Sequence, residues 1–189
     1  MASSSVIRTF IAIKVEKPEI VEKVRRLQED LARYGLKAKF VEPENLHITL
    51  KFIGEIPPVK VEALKRKLQQ VEYPRFSIEF QGVGGFPSLS RARVLWIGVS
   101  KGSEKLIEIS EIVEKSLLKA GIPKSSKSFH PHLTIARVKA PLNQRLKKML
   151  EEYRDVVFGH MNVEKFFLMR SVLTSRGPIY SELAGYELK

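Results

Sequence analysis

Two short stretches, His47-Ile48-Thr49-Leu50 and His132-Leu133-Thr134-Ile135, carry the residue types that move protons. Imidazole titrates near pH 6.5, so one ring can accept a proton while a charged partner donates one. With four histidines and four threonines in the chain, chance placement yields about 0.08 copies of His-x-Thr. Two copies therefore call for a cause. On a strand, residues two apart share a face, so His47 with Thr49 and His132 with Thr134 form polar pairs, while Ile48, Leu50, Leu133 and Ile135 point to a core. Phosphoester cleavage needs such a set: a base to activate water, an acid opposite to protonate the leaving oxygen, and donors for the anionic oxygens. The hydroxyls of Thr49 and Thr134 suit the donor role, and Lys51 and Arg137 add positive charge. Lys51 shares the parity of His47. Arg137 lies five residues after His132, so a regular strand aims it away and only a bulge or bend brings it back.

Other chemistries fit less well. His130 and His132 share a face as His-x-His, but the chain has no cysteine, its other histidines are His47 and His160, and no acidic residue stands close by in sequence. No metal and no cofactor are expected. Pro131 fixes the entry to the strand, and His130 is a neighbouring substrate contact or merely exposed. The "GVGG" at 82–85 lacks the lysine and helix of a phosphate loop and reads as a turn. The "KSSKS" at 124–128 reads as a basic loop. Phe10, Phe52, Phe86 and Tyr180 are either core aromatics or rings on which a base stacks.

Four amphipathic helices must position these groups. Their apolar stripes are Ile20, Val24, Leu27, Leu31; Val61, Leu64, Leu68, Val71; Leu106, Ile109, Val113, Leu117; and Leu142, Leu146, Met149. Between them lie β-branched or aromatic runs, among them "RTFIAIKV", "NLHITLKFIG", "FSIEF", "RVLWIGV", "PHLTIARV" and "NVEKFFLMRSVL". The order repeats. Gly35, a helix C-cap, stands twelve residues before His47, and Gly121 eleven before His132; Pro57 follows His47 by ten residues and Pro141 follows His132 by nine. The pattern predicts an α/β or α+β fold with mixed or antiparallel sheets, in two similar lobes, about 6–85 and 90–189, forming one two-lobed domain over 1–189, with residues 1–5 as a disordered leader.

Lysine and arginine number 33 against 21 acidic residues, a net charge of +12, which favours phosphate-bearing partners or acidic membrane surfaces. Without cysteine there are no disulfides or thiolate sites. Apolar runs such as "VLWIGV" are far shorter than the roughly 20 residues of a membrane helix, so a soluble cytoplasmic protein, not membrane-bound, is expected. Many lysines and glutamates with few amides suggest a thermophilic source.

The blocks "RTFIAI", "NLHITLKFIGEI", "FPSLSRARVLWIGV", "FHPHLTIARV" and "MRSVL…GPIYSEL" together resemble, over nearly the whole chain, the two-histidine phosphoesterase superfamily, in its RNA 2′,3′-cyclic phosphodiesterase branch, formerly called 2′-5′ RNA ligase. The resemblance implies an α+β fold of two pseudo-symmetric lobes, with antiparallel sheets facing a central cleft and helices outside. It implies hydrolysis of a terminal 2′,3′-cyclic phosphate to a 2′-phosphomonoester, with His47 as general acid on the 3′ oxygen and His132 as general base on water. It also implies substrate contacts from Lys51, Arg137, His130 and Tyr180, RNA ends, tRNA fragments or nucleotides as partners, and a monomer. If a 5′ hydroxyl replaced water, the same groups would join RNA through a 2′-5′ linkage. A basic RNA- or nucleotide-binding module without turnover is the alternative, separated from the enzyme by product formation.

Overall fold

The helix endings predicted from sequence hold the repeat together. In the computed structural model, which describes residues 5–189, α1 (Pro18–Arg33) and α3 (Ser103–Leu118) each stop at a glycine of positive φ, Gly35 at +93° and Gly121 at +81°. The following N–H groups then turn back in the same way, Leu36 to the Leu31 carbonyl and Ile122 to that of Leu117, a closure that a left-handed residue permits. The predicted stripes of both helices are at most 2% exposed. α2 (Pro58–Leu68) starts on a proline, whose missing N–H costs nothing in a first turn. α4 (Gln144–Glu152) begins later than Pro141 and Leu142 suggested, because the Asn143 side chain accepts from the Leu146 N–H at 2.8 Å and caps it. Of the leader expected at 1–5, residues 1–4 lie outside the described residues.

Among the described residues nine strands form two antiparallel sheets. β1 (Ile7–Lys14), β3 (His47–Ile56), β8 (Lys165–Thr174) and β9 (Gly177–Glu187) make the first, in the order β3-β1-β8-β9. β2 (Ala38–Phe40), β4 (Phe76–Phe86), β5 (Val94–Val99), β6 (His132–Val138) and β7 (Val157–Val163) make the second, in the order β2-β6-β5-β4-β7. The α+β class and the two pseudo-symmetric sheets match the sequence reading, β3-β1-β8 corresponding to β6-β5-β4. The sheets, however, do not follow the division at 85/90. β2 and β4 leave the first repeat to join the second sheet, and β8 and β9 return to the first. The helices cross as well: α1 packs on β6 and β7, and α3 on β3. The two repeats are intertwined, and neither sheet is complete without the other's chain.

One local reading is corrected, and two strands, β2 and β7, add to those read from sequence. "GVGG" is not a turn but the end of β4, where Val83, Gly84 and Gly85 pair with Ile97, Trp96 and Leu95. Its glycines are there for close approach: a Cβ on Gly84 would meet the Trp96 ring at 2.2 Å, and one on Gly82 the Arg154 carbonyl at 2.5 Å. β7 is a separate strand whose alternation is interrupted by Gly159 and His160, and β2 has only three residues, too few for a periodic signal. Replacing Gly84 by Ala is expected to lower stability by about 1–3 kcal/mol and to shift the emission of Trp96, the single tryptophan. Chemical denaturation followed by fluorescence measures both, and an unchanged midpoint and spectrum would contradict the contact.

Candidate active site

β3 is the edge strand of the first sheet and lies against β6 of the second, without a hydrogen-bonded ladder between them. Each opens on its histidine. Each ring is held in the same way: Nδ1 of His47 is 2.6 Å from the Asn45 carbonyl, and Nδ1 of His132 bonds the His130 carbonyl, in both cases two residues earlier. A carbonyl only accepts, so Nδ1 carries the proton and Nε2 is left for exchange. Nε2 of His47 is 2.9 Å from the Thr49 hydroxyl, which donates to it while the ring is neutral.

Both imidazoles titrate below their ordinary 6.5. Burial is the main cause for each. For His47 the Asn45 carbonyl opposes the shift, whereas positive charge on His132 and on Arg137 adds to it. For His132 the His130 carbonyl opposes and the His130 charge adds. The charges of His132 and Arg137, on the second sheet, are thus felt at His47 on the first. Arg137 and Arg8 likewise oppose the rise that burial imposes on Tyr180.

A bulge follows each histidine–threonine pair at the same place. Ala12 pairs with Thr49 and Ile11 with Lys51, so Leu50 is extra; Trp96 pairs with Thr134 and Leu95 with Ala136, so Ile135 is extra. The extra residue reverses the parity of the residues after it, in β3 as far as Phe52, where a second register shift follows. In β6 this brings Arg137 to the face of His132, through the bulge its placement required. In β3 it overturns the expectation for Lys51: the side chain turns inward and is only 6% exposed, and Phe52, 64% exposed, takes the cleft position equivalent to Arg137. Lys51 is not free for a substrate. Its Nζ donates to Glu114 Oε1 at 2.7 Å, Ser125 Oγ at 2.6 Å and the Pro123 carbonyl at 3.0 Å, and the Ser125 N–H also donates to Glu114. The lysine thereby ties the His47 strand to the 123–128 loop that leads to His132.

Around His47 stand Phe10 and Tyr180, with ring centroids at 5.2 and 5.3 Å, above a pocket of about 260 Å³ that Lys14, Glu44 and Glu182 also line. Around His132 stand Phe86 at 5.0 Å, His130 at 6.0 Å and Trp96 at 6.1 Å. His47, Thr49 and Tyr180 thus gather on one sheet and His130, His132, Thr134 and Arg137 on the other, facing across β3 and β6. His160 lies elsewhere, paired with Glu79. Among the described residues no three His, Asp or Glu side chains group to hold a metal ion. Sequence reasoning missed Asn45, Glu114 and Trp96. One signal was available: Glu114 stands seven residues before Gly121 as Gln28 stands seven before Gly35. Gln28 reaches the second bulge in turn, donating to the Ile135 carbonyl at 3.0 Å.

Paired imidazoles of matched tautomer, one from each of two pseudo-symmetric sheets, define a two-histidine phosphoesterase. The comparisons agree in both halves of the chain: the family described as LigT-like phosphoesterase matches residues 14–96 and again 97–180. This chain belongs to that family. The RNA 2′,3′-cyclic phosphodiesterase of Aeropyrum pernix is 40% identical over 90% of this chain and 96% of its own, and that of Aquifex aeolicus 39% identical over 97% and 98%. Among solved structures, TT0787 of Thermus thermophilus superposes with a TM-score of 0.76 at 29% identity over 96% of this chain and 97% of that one. E. coli LigT complexed with 3′-AMP superposes with a TM-score of 0.75 at 24% identity over 98% and 99%, a likeness of fold.

The Lys51–Glu114 pair has a testable energetic role. Burial alone would raise the Glu114 carboxyl, but hydrogen bonds from Lys51 and Ser125 outweigh it and hold it at about 2. The pair therefore stabilises the fold fully above the ordinary 4.5 and progressively less as pH falls toward 2. Replacing Lys51 by Met leaves a buried carboxylate unpaired and is expected to cost about 3–5 kcal/mol, most of it recovered when Glu114→Leu is added. Denaturant titrations of the two variants check this; a double variant no more stable than the single one would contradict it.

Proposed function

We propose that this chain hydrolyses terminal 2′,3′-cyclic phosphates of RNA to 2′-phosphomonoesters without a metal. The observation that carries the reading is the pair of matched imidazoles, each with Nδ1 fixed by a carbonyl and Nε2 turned away from it, that of His47 toward the Thr49 hydroxyl, and close enough for the charge of one to depress the pKa of the other. The cyclic phosphodiesterase relatives, similar over nearly the full length, support the same substrate class.

In this reading His132 Nε2 takes a proton from water as the water oxygen bonds to phosphorus. The bond to the 3′ oxygen breaks opposite, and His47 Nε2 delivers its proton to that oxygen. The Thr49 and Thr134 hydroxyls and Arg137 hold the phosphoryl oxygens, whose negative charge grows in the transition state. Tyr180, partly exposed and packed on His47 over the buried Phe10, carries the terminal nucleoside on the leaving-group side. With an RNA 5′ hydroxyl in place of water, the same proton transfers form a 2′-5′ linkage and need no ATP. The 2′ oxygen stays esterified throughout, so product identity separates this mechanism from one that releases a 3′-phosphate.

A synthetic RNA ending in a 2′,3′-cyclic phosphate, incubated with the protein in EDTA, is expected to yield a 2′-phosphate. His47→Ala and His132→Ala are each expected to reduce kcat/KM by about 10²–10⁴ with the circular dichroism unchanged, and full activity in either variant removes that ring from the mechanism. The pH profile supplies a second test. Turnover needs His132 neutral and His47 charged, so the rate falls at low pH as His132 takes a proton and at high pH as His47 loses one. Both rings titrate below 6.5 in the free protein, which places the maximum of kcat/KM on the acid side of that value. A maximum on the alkaline side of neutrality would contradict the acid role of His47.

A further inference from the structure

The second sheet carries more than a water-activating base requires. On its cleft face the register aligns Phe86, Val94, Arg137 and Lys39 in one row across four strands, and Gly84, Trp96 and Thr134 in the next. A Cβ on Gly84 would meet the Trp96 ring at 2.2 Å and one on Gly98 would meet it at 3.4 Å. Gly84 therefore clears the sheet so that one indole lies down on it, while Gly98 borders the ring at ordinary contact distance. Phe86, 37% exposed, and the exposed His130 flank that indole with ring centroids at 5.3 and 5.0 Å. Beside this aromatic surface, Arg137 and Lys39 have no carboxylate within 4.0 Å among the described residues. Lys39 donates instead to the Arg176 carbonyl at 2.8 Å, where the β8–β9 hairpin crosses to the second sheet. Arg176 itself has no acidic partner among the described residues.

Flat rings next to a row of unneutralised cations are what holds a single-stranded nucleic acid: the rings stack bases of any identity and the cations follow the phosphates. The hydrolysis proposed above uses one phosphate and one nucleoside, placed on the His47 side. A 2′,3′-cyclic end uses both hydroxyl oxygens of the terminal ribose, so an RNA continues from that ribose only through its 5′ side. We infer that the second sheet binds this continuation. The base next to the cyclic end stacks on Phe86, Trp96 and His130, and, with Arg137 on the cyclic phosphate, the upstream phosphates run over Lys39 toward Arg176. The chain is then selective for RNA ends over free cyclic mononucleotides, an extension that rests on the functional reading of the preceding section.

The test compares uridine 2′,3′-cyclic phosphate with a uridine pentanucleotide bearing the same cyclic end, as kcat/KM between about 50 and 200 mM KCl, the range over which phosphate contacts are lost. The wild-type protein is expected to prefer the pentanucleotide by at least about fivefold at low salt, the lower bound for one stacked base. Lys39→Ala is expected to reduce the log–log salt slope for the pentanucleotide by about 0.7 and to leave the mononucleotide rate unchanged. Phe86→Ala is expected to lower the ratio of the two rates, and Phe86→Trp to restore it. Equal kcat/KM for the two substrates in the wild-type protein, or an equal loss on both in Lys39→Ala, would overturn the extension while the cyclic phosphodiesterase reading stands. No turnover of either substrate would overturn both.

Discussion

One inserted residue after each histidine–threonine pair is the constraint on which the cleft depends. Without the bulges at Leu50 and Ile135, Lys51 would stand on the face of His47, and Arg137 would be driven into the core under α1. With them, the apolar residues Ile48, Leu50, Leu133, Ile135 and Ala136 are all buried, while the imidazoles keep the open face. A bulge frees backbone groups from the ladder, and these need partners. In the second sheet the Ile135 carbonyl receives both the Val41 N–H and the Gln28 amide. In the first, the helix position equivalent to Gln28 is Glu114, and what it receives is the ammonium of Lys51. A helix side chain thus buttresses the bulge in both sheets, once through an amide on the freed carbonyl and once through an ion pair with the side chain that the bulge turns inward.

That difference has a mechanical consequence. Gln28 and Ile135 join α1 to the sheet it already covers, whereas Lys51 and Glu114 also gather Ser125 and Pro123 from an otherwise exposed loop. The path from Glu114 through that loop to His132 is therefore anchored to the His47 strand, and the separation of the two rings is set by a contact between the repeats. The crossing of β4, β8 and β9 between the sheets acts in the same direction. Lobes built each from its own half of the chain could hinge about one linker; lobes that exchange strands resist it, and the proposed reaction, with two proton transfers at one phosphorus, would depend on that fixed spacing.

Much of this was legible in the sequence because it rests on period and punctuation. The helical stripes, the glycines that end α1 and α3, the two His-x-Thr faces and the repeat all follow from local spacing, and the local answer agreed with the tertiary one. What was not legible depends on counting residues between partners. Lys51 has the parity of His47 on any regular strand, and only pairing with β1 reveals the extra residue that sends it inward. The glycines of "GVGG" have the composition of a turn, and the reason they lie in a strand is a tryptophan on the next strand, beyond the reach of any local pattern. The strand exchange was hidden for the same reason, since a sequence repeat reports similar units and is silent on which sheet each strand joins.

The departures from symmetry are where the two half-sites divide their work. At the position five residues after each histidine the first sheet has Phe52 and the second Arg137; opposite each threonine the first has Ala12 and the second Trp96. The first face is small and apolar around His47, with Phe10, Ala12 and Met169 buried together beneath Tyr180. The second presents a cation and a larger aromatic group. Arg137 opposes protonation of His47 in the free protein, as the charge of His132 does. In the proposed reaction a cyclic phosphate monoanion held between them screens both charges, so substrate binding itself would favour loading the proton that His47 is proposed to deliver. An arginine at both equivalent positions would depress both imidazoles alike, and a phenylalanine at both would leave the anion without its cation. A duplicated scaffold with unequal substitutions gives two identical rings distinct surroundings, which opposed acid and base roles at one phosphorus require.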